Sequence, residues 1–267
     1  MPATKEGRIM KVKARRSETS SRRVQSGRKN LPLVERTNAL PIDQFISQYV
    51  SPLSAKKPTE TPTEKNASTS QSAQADATSL AIYSATTIPS ADLEACLNLI
   101  EETSGDAYAA SGGGWSRPKK LREMKLPDMK YLIVRAAGQS DAPSEADEPE
   151  SESKSVLGKE SGKVLGFLSF MVTYEDGKEV VYCYEIHLSA LARGKGLGAL
   201  LMGRMEEIGR SVGLEKAMLT VFKSNAVARE FYRKGGYDVD EYSPRPRRLR
   251  NGTVKEYDYE ILSKRLK

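Results

Sequence analysis

Six consecutive residues, Arg193-Gly194-Lys195-Gly196-Leu197-Gly198, join a strand-like apolar run over 180–188 to a helix-like run over 197–212. A strand, a glycine-rich turn and a helix N-terminus in that order make an anion site. The glycines let backbone N–H groups approach a phosphate, and the helix dipole favours its negative charge. The spacing excludes two common phosphate loops. A dinucleotide-binding fingerprint needs G-x-G-x-x-G with an acidic residue about 20 positions on, and a P-loop needs Lys then Ser/Thr after its last glycine. The glycines here run G-x-G-x-G. Taken alone, they also fit a β-to-α turn with no ligand. Two cysteines, Cys96 and Cys183, and a single histidine, His187, are too few for a Cys/His zinc site or a disulfide framework, so no metal is expected. Any Ser-His-Asp or Cys-His chemistry would have to use His187. It stands in the run Glu185-Ile186-His187-Leu188 and reads as a strand-face residue rather than a catalyst.

Several elements must position that loop. The chain has 267 residues and a formal net charge of +7, unevenly placed. Low cysteine usage predicts a reducing, intracellular compartment. No N-terminal apolar region or run of about 18 apolar residues predicts secretion or membrane spanning. Residues 1–37 are basic and poor in large apolar side chains, which predicts a disordered tail. The tail is either a nuclear-import or nucleic-acid-contacting arm, or simply solvated. Over 38–50, Leu40, Ile42, Phe45, Ile46 and Tyr49 recur at helical spacing behind Asn38 as N-cap, predicting an amphipathic docking helix. Residues 51–79 read as a flexible linker.

The folded domain is expected over 80–267. It opens with a strand at 80–87 and a helix at 90–103 capped by Ser90, with Leu93, Cys96, Leu97 and Ile100 inward. A loop at 108–115, a short helix at 118–126 and a strand at 129–136 follow. The stretch 138–162 is acidic and rich in Ser and Pro; it predicts a disordered insertion, surplus to a compact domain. A hairpin over 164–173 and 179–188 leads into the glycine loop and its helix. A strand at 216–222, a helix at 226–234 ended by Gly235-Gly236, and strands at 237–242 and 256–262 complete the chain. Between the last two strands, Arg245, Arg247, Arg248 and Arg250 crowd one stretch.

The loop Arg193-x-x-Gly196-x-Gly198 resembles the pyrophosphate loop of the GNAT acetyltransferases. The segment Asn225-x-x-Ala228-x-x-Phe231-Tyr232-x-Lys234-x-Gly236-Tyr237 is similar to a second GNAT motif at the expected separation. The resemblance implies an α+β GNAT fold, a central mixed twisted sheet flanked by helices, here with an N-terminal helical extension. A narrower similarity rests on Val181-Tyr182-Cys183-Tyr184-Glu185, Lys195-Gly196-Leu197-Gly198, Met218-Leu219-Thr220-Val221-Phe222-Lys223-x-Asn225 and Tyr259-Glu260-Ile261-Leu262-Ser263. These resemble the D-type N-alpha-acetyltransferases, which acetylate the N-terminal serine of histone H4 and histone 2A, and they cover roughly 80–267.

Acetyl transfer to an amine needs a neutral amine, a held thioester, an oxyanion partner and a proton for the leaving thiolate. An α-amino group has a pKa of about 7.7–8.0, so one well-placed carboxylate can take its proton. By resemblance Glu185 is that group. The resemblance also implies that backbone N–H groups around His187, Leu188 and Ser189 meet the thioester oxygen. Amides of Arg193, Gly194, Lys195, Gly196, Leu197, Gly198 and Ala199 would hold the pyrophosphate of acetyl-CoA, and Asn225 the pantetheine arm. Tyr232 stands where many GNAT enzymes place the proton donor; a packing role is the other reading. For the peptide, the resemblance implies Tyr108, Trp115, Glu175, Tyr182, Tyr184, Glu185 and Tyr259 around a slot for a Ser-Gly-Arg-Gly tail, with Thr173 where the resembled site is acidic. The expected partners are histone H4 and histone 2A tails, with nucleosome or DNA contact through the basic tail, for a monomer in nucleus and cytoplasm. Two other readings stay open: a GNAT enzyme acting on lysine side chains or small amines, and a chromatin-binding module without turnover.

Overall fold

The computed structural model describes residues 31–51, 78–136 and 162–267. The expected tail up to residue 30, the linker over 52–77 and the insertion over 137–161 lie outside the described residues. Seven strands form one sheet: β1 (Thr78–Ser84), β2 (Lys130–Ala136), β3 (Val164–Glu175), β4 (Lys178–Leu188), β5 (Lys216–Phe222), β6 (Asp238–Val239) and β9 (Tyr259–Arg265). Their order is β1-β2-β3-β4-β5-β9-β6. Every pairing is antiparallel except β4 with β5, so the sheet is mixed. The strand expected over 237–242 shortens to β6, and the arginine stretch after it contributes to a separate two-stranded ribbon, β7 (Arg247–Arg248) with β8 (Val254–Lys255).

Both faces of the sheet are covered, which is why β3 and β4 read as near-continuous apolar runs rather than alternating ones. On one face, helices α3 (Ser90–Ala110) and α4 (Arg117–Met124) pack Leu97, Ile100 and Met124 onto Tyr131, Ile133 and Phe167. On the other, α5 (Leu197–Val212) and two N-terminal helices pack Leu201, Met205 and Phe45 onto Leu132, Phe170 and Val181. Helix α6 (Ala226–Lys234) adds Tyr232 to that second core. Gly209 on α5 lies so close to the sheet that a Cβ there would come within 2.9 Å of the Val181 side chain.

Two expectations at helix starts fail for one reason. The single helix expected over 38–50 is two: α1 (Leu33–Asn38) and α2 (Ile42–Tyr49), with Pro32 and Pro41 as their N-caps. Proline at 41 biases Leu40 away from helical backbone and ends the first helix. Asn38 therefore caps nothing; its amide donates to the Val172 carbonyl (2.8 Å) and accepts from Lys130 Nζ (3.1 Å), pinning α1 to β3 and β2. Residues 33–37 belong to this helical pair rather than to a disordered tail. Likewise Pro89, not Ser90, caps α3.

Helix α3 runs seven residues past its expected end at Thr103. Thr103, Ser104 and Gly105 are poor helix formers, and packing on β4 overrides that weak preference. Strand β1 starts two residues before the expected 80 and ends at Ser84, and β9 runs to Arg265.

Asp92 on α3 and Arg135 on β2 form a doubly hydrogen-bonded ion pair with side chains only 8% and 6% exposed. Removing one partner strands the other charge in the core. Asp92→Ala is expected to cost about 3–5 kcal/mol, read as a lowered urea midpoint at unchanged m-value.

Candidate active site

The site begins where two strands part. Strands β4 and β5 pair in parallel from Val180/Lys216 to Cys183/Leu219 and no further. Beyond that, Tyr184–Leu188 and Thr220–Phe222 diverge and leave a cleft of about 680 Å³ between them. This is within the range of small-molecule sites. A bulge in the β3–β4 ladder opens at the same point: Ser169 faces Glu185 and Phe170 faces Cys183, so Tyr184 is the extra residue. One extra residue shifts the side-chain alternation. Cys183 faces the α5 side, while Glu185 and His187 turn toward α3.

At one part of the cleft, Ser189 to Gly196 bend the chain from β4 into α5. Gly194 and Gly196 have φ of 74° and 76°, and a Cβ on either would meet nothing within 4 Å. The loop is thus an open cradle that only its backbone shapes. The first intrahelical bond of α5 runs from Leu200 N–H to Gly196 O, leaving the amides of Leu197, Gly198 and Ala199 without intrahelical acceptors. Gly198 allows close packing, since a Cβ there would lie 3.3 Å from Phe231. These features fit a pyrophosphate group. Arg193, Gly194, Gly196, Leu197, Gly198 and Ala199 all line the cleft, whereas Lys195 lies between them without lining it.

The backbone donors are fewer than expected. Ser189 N–H already donates to Leu165 O (2.8 Å), and the N–H of His187, two residues back, points the same way by strand alternation. Leu188 points oppositely, and its carbonyl accepts from Arg193 Nε at 3.3 Å. Leu188 N–H is the donor of this trio that faces the splay. Asn225 lines the cleft, but its Oδ1 accepts from Ala228 N–H (3.0 Å) as the N-cap of α6. Its side-chain amide N–H groups remain for a ligand.

The other part of the cleft holds a buried charged network. Glu185 Oε1 accepts from Tyr108 Oη at 2.6 Å and from Lys120 Nζ at 2.7 Å. Its Oε2 lies 2.7 Å from His187 Nε2. His187 Nδ1 in turn lies 2.5 Å from Thr103 Oγ1, which is also 2.7 Å from the Leu99 carbonyl. The Phe167 ring stacks on the imidazole. Lys120 reaches Glu123 as well, at 3.2 Å. Burial alone would raise the pKa of Glu185; the Lys120 ammonium and the His187 contact overcome it and hold the carboxyl down to about 2. Burial pushes the Lys120 ammonium toward losing its proton, and Glu185 more than reverses that, so the net shift is upward. Tyr232 lines the cleft and burial raises its pKa, so it stays protonated and able to donate.

The expected peptide residues separate into two groups. Tyr108, Tyr184 and Glu185 line the cleft. Trp115 does not; its indole N–H donates to Glu101 (2.9 Å) and its ring packs against Tyr108. Tyr182 is buried with its hydroxyl 2.5 Å from Thr220 Oγ1. Glu175 ends β3 opposite Lys178, and Tyr259 pairs with Phe222 in the sheet beside Tyr257. Two residues absent from the sequence reading are central. Lys120 sits one helical turn before Met124 on the inward face of α4, a position where the apolar pattern gave a lysine no special mark. Thr103 fell at the expected end of α3. Among the described residues no group of three or more His, Cys, Asp or Glu is placed to hold a metal, and no helix is long and apolar enough to cross a membrane.

The family model described as Acetyltransferase (GNAT) family matches residues 121–237, from the second half of α4 to just past α6, and so the whole glycine loop. Over that segment the chain is similar to the GNAT acetyltransferases. Its mixed sheet flanked by helices is the GNAT fold. Among curated proteins it is similar to the uncharacterized protein YdhI of Bacillus subtilis, 30% identical over 85 residues, covering 32% of this chain and 49% of that one. It is also similar to the uncharacterized N-acetyltransferase YycN of the same organism, 28% identical over 74 residues, covering 28% and 47%. The chain thus spans about half the length of the curated relatives it matches. Among solved structures, it is similar to PaiA N-acetyltransferase from Thermoplasma acidophilum in complex with coenzyme A, at 18% identity and TM-score 0.42 over 70% of this chain and 99% of that one. The protein smu.2055 from Streptococcus mutans matches at 20% identity and TM-score 0.46, over 71% and 99%.

The depressed Glu185 pKa fixes a sign for stability. A carboxyl lowered by folding contributes stability that is present above its unfolded pKa and lost as pH falls through its folded pKa. Glu185→Gln is therefore expected to melt well below the wild type at pH 7. The gap should narrow as pH falls from the ordinary carboxylate range toward 2, in melting curves taken over that interval.

Proposed function

We propose that this domain transfers acetyl from acetyl-CoA to the N-terminal amine of a protein, a histone-type tail beginning Ser-Gly-Arg-Gly being the acceptor. The observation that carries this reading is that the glycine cradle and the buried Glu185 network open onto one cleft. Acetyl-CoA supplies a thioester carbonyl already activated for attack by an amine. The amides of α5's first turn and the Gly194–Gly196 cradle hold the pyrophosphate, and Asn225's side-chain N–H groups face the arm. Leu188 N–H is positioned for the oxygen that gains charge. Tyr232 keeps its proton for the leaving thiolate. Tyr108 and Tyr184 present ring faces to an extended peptide, the Tyr108 hydroxyl being held by Glu185 and Lys120. Nearby carboxylates, Glu123, Glu175 and Asp128, act electrostatically on Tyr184 and favour a basic acceptor there.

The partners that go with this reading are the histone H4 and histone 2A tails, in nucleus and cytoplasm, met by a monomer. The exposed arginine ribbon, with Arg247 and Arg248 on β7, is the surface offered to nucleosomal DNA.

A Ser-Gly-Arg-Gly-Lys-Gly peptide with a free N-terminus is expected to gain one acetyl group on the serine amine by mass spectrometry, and the same peptide with a blocked N-terminus none. Transfer to the internal lysine of the blocked peptide would instead make the enzyme a side-chain acetyltransferase. Coenzyme A binding without transfer to any amine would leave a binding module. A second outcome concerns the cradle. Gly196→Ala puts a Cβ on a left-handed residue, a cost of about 1–2 kcal/mol. Coenzyme A affinity by calorimetry should weaken on the order of tenfold.

A further inference from the structure

We propose that His187, gated by the Thr103 hydroxyl, is the group that takes the amine's proton, and that Glu185 and Lys120 position and charge it rather than accept the proton themselves. This rests on the acetyl-transfer reading above.

Glu185 is poorly suited to be the base. Both of its oxygens are engaged, Oε1 by Tyr108 and Lys120 and Oε2 by His187. Three strong donors stabilise the ionised carboxylate and leave it little appetite for a proton. His187 lines the cleft, with one ring nitrogen on that carboxylate and the other on Thr103. The carboxylate accepts only, so Nε2 carries a hydrogen in either charge state.

Thr103 then accounts for both states of the ring. A hydroxyl has one proton, yet Thr103 Oγ1 lies within bonding distance of both the Leu99 carbonyl (2.7 Å) and His187 Nδ1 (2.5 Å). When the imidazole is neutral, the hydroxyl donates to Nδ1. When the imidazole is charged, Nδ1–H donates to Oγ1 and the hydroxyl turns to Leu99. Thr103 itself lines the cleft, so it is reachable from the acceptor. The step balances as a single proton transfer. The ammonium of the acceptor gives one proton to Thr103 Oγ1 as the hydroxyl's own proton passes to Nδ1. The amine is left neutral with a free lone pair, the imidazole becomes imidazolium, and its Nε2–H stays on Glu185. The imidazolium later releases that proton to solvent through the same hydroxyl.

Lys120 is a positioning residue in this scheme. It never meets the acceptor; it fixes the charge of Glu185, which then stabilises the imidazolium. The other ionisable groups around this pair are Glu123 on Lys120, Tyr108 on Glu185, and Tyr131, Cys183 and Tyr232, which act on or through the same carboxylate. The tyrosines and the thiol are buried and neutral, so Lys120, Glu123 and Glu185 set the local charge.

The chain has one histidine, so its ring signals are unambiguous in this 267-residue chain. Nitrogen-15 spectra at high pH are expected to show the neutral ring protonated at Nε2; a ring protonated at Nδ1 overturns the proposal whatever the enzyme's activity. Kinetics on the free-amine peptide give the second readout. His187→Gln should lose on the order of 100-fold in kcat, with KM little changed, and lose the acid limb of the wild-type pH profile. Thr103→Val should lose at least tenfold and Thr103→Ser should recover it. Lys120→Met should displace the acid limb rather than abolish turnover. A His187→Gln enzyme with wild-type kcat and pH profile overturns the assignment. A wild-type protein inactive on every amine defeats the acetyl-transfer reading instead, while the ring spectrum still decides the proton switch.

Discussion

One buried carboxylate organises this protein's site. Isolated, an ionised glutamate at 7% exposure would be prohibitively costly, and it would simply hold its proton. Here three elements converge to prevent that: Lys120 from α4, Tyr108 from α3 and His187 from its own strand. The helices on that face of the sheet are therefore not only a hydrophobic lid. They deliver the cation and the hydroxyls without which Glu185 could not stay charged. An ion pair of this kind adds little net stability compared with well-packed apolar side chains, but it is severe to break. Its value lies in fixing a local charge beside a cleft.

The cleft owes its existence to a defect in regularity. A sheet that continued its β4–β5 pairing past Cys183 and Leu219 would satisfy every amide and bind nothing. The bulge at Tyr184 and the parting of the two strands turn backbone donors and acidic side chains into a usable space. The glycine loop supplies the complementary half, with residues whose conformation most side chains would resist. Chemistry and binding thus meet at the one place where the sheet stops being a sheet.

Much of this was legible in the residues. The loop's glycines, the Asn225-to-Tyr237 segment and the apolar runs placed the GNAT elements in the right order, and most element bounds fell within a few residues of those observed. What escaped were features set by tertiary packing. Pro41 divides into two helices a stretch whose apolar spacing behind Asn38 reads as one. Thr103-Ser104-Gly105 looked like a helix end, yet the helix continues because β4 lies beneath it. The added turns put Thr103 inside the helix and Tyr108 on it rather than in a loop. Lys120 carried no sequence signal because nothing in α4 alone reveals that a carboxylate 65 positions away will meet it. His187 read as a strand-face residue; its register beside Glu185 was visible, but its partner across the helix was not.

The join between β2 and β3 has its own consequence. Ala136 N–H donates to the carbonyl of Lys163 at 3.1 Å, so the chain leaves the sheet and re-enters it at neighbouring positions. The ends of that excursion are fixed by the ladder, and the entropy of closing it grows only with the logarithm of its length, about 0.6 kcal/mol for each doubling. This end of the β2–β3 ladder, inside the sheet rather than at its edge, behaves as an insertion port in the covalent sense. A change in the length of that connection therefore carries little thermodynamic cost for the cleft, whose strands the ladder holds in place.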